Sequence, residues 1–126
     1  MSNHLEPGAK VQALYKSGLY AGELIEVRAN KAVVQILAVL KHPTQGDLHQ
    51  PFEADVAMFH QRRALAYKEK ALVPFVHLSG YDQEIPEYKA SLKEALQAEM
   101  NVVLERRDQW GEQAYVLLKE LEKEYF

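Results

Sequence analysis

Apolar and polar residues alternate through the first part of the chain, and the spacing changes near residue 80 from the period of a strand to that of a helix. In Lys10-Val11-Gln12-Ala13-Leu14-Tyr15, Val11, Ala13 and Tyr15 share one strand face, with Leu14 on the other. Lys16-Ser17-Gly18 supplies a turn, and Leu19 to Arg28 pairs back on the first strand. Ala29-Asn30-Lys31 offers a tight connection in which Asn30 tolerates positive φ, followed by a third strand from Lys31 to Val39. Both faces of that strand are apolar (Val33, Leu37, Val39 and Val34, Ile36, Ala38), which suits a small barrel or a sheet covered by helices. Arg63 to Tyr67 reads as a fourth strand and Ala71-Leu72-Val73 as a fifth, closed off by Pro74. A helix from Phe52 to Tyr67 is the rival reading, because Phe59, Arg62 or Arg63 and Ala66 also fit a period of 3.6.

After Pro86 the pattern is helical. Tyr88, Leu92, Leu96, Met100 and Val103 or Leu104 form one apolar stripe, with Pro86 suited to the first turn and Glu84 and Glu87 to the positive helix end. Arg106 and Arg107 favour a stop, Asp108 is a candidate N-cap, and Ala114, Leu117, Leu118, Leu121 and Tyr125 make a second stripe with Trp110 near its start. Gly111 reads as a weakness inside this helix. A helix from Pro86 to Arg107 would extend roughly 33 Å at about 1.5 Å per residue, so it must overrun a small barrel or fold back as a hairpin. The expectation is an α+β chain: a mainly β half over residues 1–80, built as a small antiparallel barrel, and a helical segment over 81–126 packed on it. The two stripes exceed what a small barrel covers, which argues for a protein partner or a homodimer.

The 126 residues, 48% of them hydrophobic, bury a core without disulfides, and the absence of cysteine excludes a thiol nucleophile, a cysteine zinc site and S-linked lipid. No signal-like segment or membrane span is visible, so the expected location is the cytoplasm. Charge is uneven: +2 over residues 1–80 and −5 over 81–126, giving the net −3. Among the histidines, His42 and His49 share a loop with Asp47 and are the only metal candidates, in a spacing that matches no recognised motif. No serine lies in a nucleophile elbow, Gly18 and Gly22 form no phosphate cradle, and no catalytic residue or cofactor site is expected. Arg62, Arg63, Lys68 and Lys70 beside Phe59, His60 and Tyr67 could make a strip for single-stranded nucleic acid, although an acidic chain has little to offer a polyanion.

Several blocks in combination resemble a known family: Gly8 to Val11, Tyr15 to Leu24, Phe59 to Ala66, Glu69 to Pro74 and Ile85 to Leu92 look like the kinase-associated protein B family of spore-forming Firmicutes. The resemblance implies an SH3-like barrel with two C-terminal helices and an accessory role, supporting a sensor histidine kinase that feeds the sporulation phosphorelay. It carries over no catalytic residues. Family members have been described as lipoproteins, and a chain without cysteine implies instead a cytoplasmic protein that its partner recruits to the membrane. The candidates for partner contact are the aromatics Tyr15, Tyr20, Phe59 and Tyr67 on the barrel and Trp110, Leu117, Leu121 and Tyr125 on the helices. The alternative function is a nucleic-acid-binding SH3-like module.

Overall fold

The computed structural model describes residues 5–46, 52–54 and 59–126. Strands β1 (Lys10–Tyr15), β2 (Gly18–Arg28) and β3 (Lys31–Lys41) form the expected antiparallel meander, with β3 two residues longer than its alternation indicated. β4 (Lys70–Pro74) adds to β3, a 3-10 turn at Phe75–His77 reverses the chain, and β5 (Leu78–Gly80) returns to pair with β1. The sheet order is therefore β4-β3-β2-β1-β5. Helices α1 (Tyr88–Arg106) and α2 (Gln109–Tyr125) follow.

Curvature comes from three register shifts between β2 and β3, at Leu19/Tyr20, Ala21/Gly22 and Leu24/Glu26. Each irregularity bends its strand, so two long strands wrap around one core. Gly22 sits at one of these bends, where a Cβ would strike the backbone carbonyl of Gln35 and the Val34 side chain. Among the described residues β4 and β5 do not pair with each other, so the curled sheet is not closed and the expected small barrel is a loose one, while the α+β architecture of a five-stranded antiparallel sheet followed by two helices is as expected.

Three local expectations also change. Arg63 to Tyr67 is neither a strand nor part of a helix; it runs as an irregular segment, and the fifth strand is instead Leu78–Gly80. The positive φ in the β2–β3 turn falls on Ala29 (54°), not Asn30, whose carbonyl accepts from Phe75 N–H at 3.0 Å. Pro86 precedes α1: Glu87 is the N-cap, its carboxylate accepting from Ala90 N–H at 3.0 Å.

The two helices form a tight hairpin. Arg107 takes the left-handed conformation (φ 55°, ψ 34°) that ends α1, and Asp108 caps α2 by accepting from Gly111 N–H at 2.8 Å. Gly111 is required by a close approach: a Cβ there would meet the Val103 carbonyl. Leu92 and Ala95 of α1 complete the sheet core with Val11, Tyr20, Leu24 and Ile36, while Leu96, Met100 and Val103 face Trp110, Ala114 and Leu118 across the hairpin. Ser91 fastens α1 to the sheet, its hydroxyl accepting from Val39 N–H at 3.0 Å and donating to the Tyr88 carbonyl at 2.7 Å.

Replacing Gly22 with Ala forces β2 away from β3 at the bend. Urea unfolding of Gly22→Ala is expected to show a loss of about 1–3 kcal/mol, the range of overpacking; unchanged stability would remove Gly22 from this role.

Candidate interaction site

The segment from His60 to Ala66 packs on the sheet core through Ala64 and Leu65, and its backbone is satisfied mainly by side chains. Gln45, fully buried, accepts from Arg62 N–H at 2.9 Å through its carbonyl and donates to the Arg62 carbonyl at 2.9 Å through its amide. Tyr125 Oη accepts from Ala64 N–H at 2.9 Å, Tyr20 Oη accepts from Leu65 N–H at 3.2 Å, and Tyr88 Oη donates to the Leu65 carbonyl. Glu69 accepts from Ala66 N–H at 2.8 Å. Past Tyr67 the chain turns, and Lys68 N–H reaches the Ile36 carbonyl at 2.7 Å, which starts the pairing that β4 continues. This strap explains why the residues read as a strand: extended chain needs partners for every N–H and C=O, and here they come from tyrosine and glutamine instead of a neighbouring strand.

The strap is tied to the chain's last helix through His42. The Pro43 carbonyl only accepts, so His42 Nδ1 carries the proton and donates to it at 3.0 Å, and Nε2 accepts from Tyr125 Oη at 2.8 Å. Burial, the larger influence, together with the positive charge of Lys41, holds His42 down at about 4 against an ordinary 6.5, opposed by the Pro43 hydrogen bond. Burial pushes Tyr88 up to about 12 and raises Tyr20 and Tyr125, so all three hydroxyls stay protonated at neutral pH. Both ring nitrogens of His42 are engaged, which removes it from the His42, Asp47 and His49 metal set; Asp47 and His49 lie outside the described residues. Among the described residues no three His, Asp or Glu side chains cluster to hold a metal.

Two concavities flank the strap. On one side Leu37, Ala66, Tyr67, Ile85, Pro86 and Tyr88 line an open apolar groove of about 720 Å³, bordered by Glu87 and Lys89. Tyr67 is 54% exposed, its ring centroid 5.7 Å from that of Tyr88 and Lys68 Nζ 5.5 Å from its own ring. On the other side Tyr15, Lys16, Tyr20, Pro43, Gln61 to Arg63, Leu65 and Glu69 line a more polar cleft of about 320 Å³. Lys16 reaches it because the β1–β2 turn places Lys16 and Ser17 at φ 46° and 70°, both left-handed, as a two-residue hairpin requires.

Of the anticipated contact residues, Tyr15 and Tyr67 sit at these two openings, whereas Tyr20, Trp110 and Leu121 are 1%, 3% and 1% exposed and belong to the core. Their assignment to a partner surface is corrected for that reason. Phe59 packs against Trp110, Tyr125 serves the strap, and Leu117 is half-buried with its carbonyl accepting from Gln61 at 3.1 Å. Most of the helical stripe residues are covered, by the sheet, by each other and by Phe59, which leaves a smaller apolar surplus on the helices than their spacing indicates. Of the two ends read for the first stripe Val103 is buried and Leu104 exposed, and Val102 and Val116 are exposed as well. The proposed basic strip splits: Arg62 and Arg63 enter the cleft, while Lys68 lies against Tyr67. Sequence reasoning missed Lys16, Leu37 and Ile85, and Tyr88 carried only a stripe signal.

Since the folded state holds His42 neutral, His42 stabilises the fold fully above pH 6.5, and that contribution is lost as pH falls from 6.5 towards 4. The upper bound is about 3 kcal/mol. Glu99, raised by burial against Lys41, acts with the opposite sign, so the comparison to make is wild type against His42→Gln. The stability difference between the two is expected to shrink as pH is lowered across that window; a constant difference would contradict the assigned hydrogen bonds.

Comparison with known proteins converges on one group. The sequence profile described as "Kinase associated protein B" matches residues 15–126. The chain is 45% identical over 122 residues to "Kinase-associated lipoprotein B" of Bacillus subtilis (strain 168), covering 96% of this chain and 94% of that one. The X-ray crystal structure of kinase-associated protein B from Bacillus cereus superposes with a TM-score of 0.82 at 38% identity, covering 95% of this chain and 96% of that one.

Proposed function

Because the chain belongs to the kinase-associated protein B family, we propose that it is a non-enzymatic accessory that associates with a sensor histidine kinase and supports its activation in the phosphorelay leading to sporulation. The observation that carries the reading is the open groove at Tyr67 and Tyr88, an aromatic surface held rigid by the strap. Exposed tyrosine on a fixed scaffold binds protein with little loss of side-chain freedom, and such residues dominate binding energy. The buried groups with shifted protonation support a binding role as well, since His42, Tyr20 and Tyr88 are each occupied in holding the strap.

The relative from Bacillus subtilis is named a lipoprotein. None of the 126 residues here is a cysteine, so we assign the encounter to the cytoplasmic part of the kinase, with the kinase itself bringing the protein to the membrane.

Co-purification with the full-length kinase in native membranes tests the reading. Wild type is expected to be retained, and Tyr67→Ala, which alters an exposed side chain, to lose about tenfold or more in capture. Absence of wild-type capture would overturn kinase association; equal capture by Tyr67→Ala would remove the groove from it.

A further inference from the structure

The surface does not end at the groove. Consecutive strap residues line the two concavities, Ala66 the groove and Leu65 the cleft, so an extended segment crossing the strap enters both. We propose that the cleft is an anion subsite, and that the segment docked in the groove carries an acidic side chain within about two to four residues of its apolar anchor, at about 3.3 Å per residue. The proposal rests on the kinase-docking reading above and supplies the chemistry of the segment that docks.

Three cations converge on the cleft from separate parts of the chain: Lys16 from the tip of the β1–β2 turn, and Arg62 and Arg63 from the strap. Arg62 is half-buried, and its Nε donates to the Gly46 carbonyl at 3.2 Å, which fixes the plane of its guanidinium. Among the described residues Glu69 is the one carboxylate in the lining; it is held by Ala66 N–H and keeps its charge, so the three cations leave the lining net positive. Arg63 pairs with Glu124, but both side chains are more than half exposed (55% and 52%), so an incoming carboxylate can exchange for Glu124 without stranding a buried charge. Tyr15 adds an aromatic wall, and the positive charge is therefore concentrated in a chain that is acidic overall.

The shape favours an acidic peptide over a nucleic acid. A cleft of about 320 Å³ is at the small end of ligand sites, with room for an acidic side chain and the residue beside it but not for a run of nucleotides. Its outer rim carries Glu120, which accepts from Gln61 at 3.3 Å, and Glu124. A backbone bearing a phosphate at every nucleotide would meet these carboxylates directly, whereas a peptide presents a single charge inside the rim.

The experiment is an amide-resolved NMR titration of the intact protein with a short capped peptide bearing Leu-Pro followed by Glu-Glu, its Gln-Gln counterpart, and a single-stranded oligothymidylate. The Glu peptide is expected to shift Lys16, Arg62 to Tyr67 and Tyr88, and to bind about tenfold more tightly than the Gln peptide at low salt, the difference shrinking at high salt. In Lys16→Gln/Arg63→Gln, which changes exposed side chains only, the two peptides are expected to bind equally while the shifts at Tyr67 and Tyr88 persist. Equal affinities in wild type, or a preference that survives the double variant, would overturn the anion subsite. Tighter binding by the oligonucleotide at the same residues would overturn the acidic-peptide assignment in favour of nucleic acid. Kinase capture reads out independently: its loss with the peptide preference intact counts against the kinase, and the reverse result counts against the subsite alone.

Discussion

A length of chain that lies partly buried outside any sheet must still find partners for its N–H and C=O groups, and this protein meets that demand with side chains. Tyr20 from β2, Tyr88 from the start of α1 and Tyr125 from the end of α2 all bring hydroxyls to two consecutive strap residues, Ala64 and Leu65. Gln45 closes both backbone groups of Arg62. Each such bond contributes only about 1 kcal/mol net, but stranding a buried partner costs about 1–3 kcal/mol, so the set is strongly cooperative in its consequences.

The same contacts order the rest of the molecule. Because Tyr125 bonds both His42 and Ala64, the last helical turn is joined to the loop after β3 and to the strap at once. Tyr88 forms a wall of the groove with its ring while its hydroxyl holds Leu65, so the element that positions the strap also shapes the surface beside it. Function in this account follows from rigidity: an aromatic groove and a small cationic cleft sit at a fixed separation on either side of Leu65 and Ala66.

Much of this was legible in the residues. The meander of β1 to β3 and the hairpin of α1 and α2 declared themselves because each has a periodic buried face, and Asp108 marked the helix break by its capping chemistry. The strap has the spacing of a strand because apolar spacing is the same whether the backbone partner is another strand or a tyrosine hydroxyl. β5, three residues long, is too short to display a period. The apparent excess of apolar stripe came from weighing the helices against the sheet alone, without Phe59 and the strap that help cover α2. Tyr20 and Tyr125 looked like surface anchors because sequence does not reveal whether a hydroxyl is spent internally. The cationic cleft was only half visible: Arg62 and Arg63 are adjacent in the chain, but Lys16 joins them only through the fold.

Amide hydrogen exchange measured residue by residue tests the tyrosine-held strap most directly. Ala64 and Leu65, which belong to no strand, are expected to be protected in the wild type, with Tyr125→Phe accelerating exchange most at Ala64 and Tyr20→Phe most at Leu65. Fast exchange at both amides in the wild type, or protection that neither substitution alters, would contradict the account.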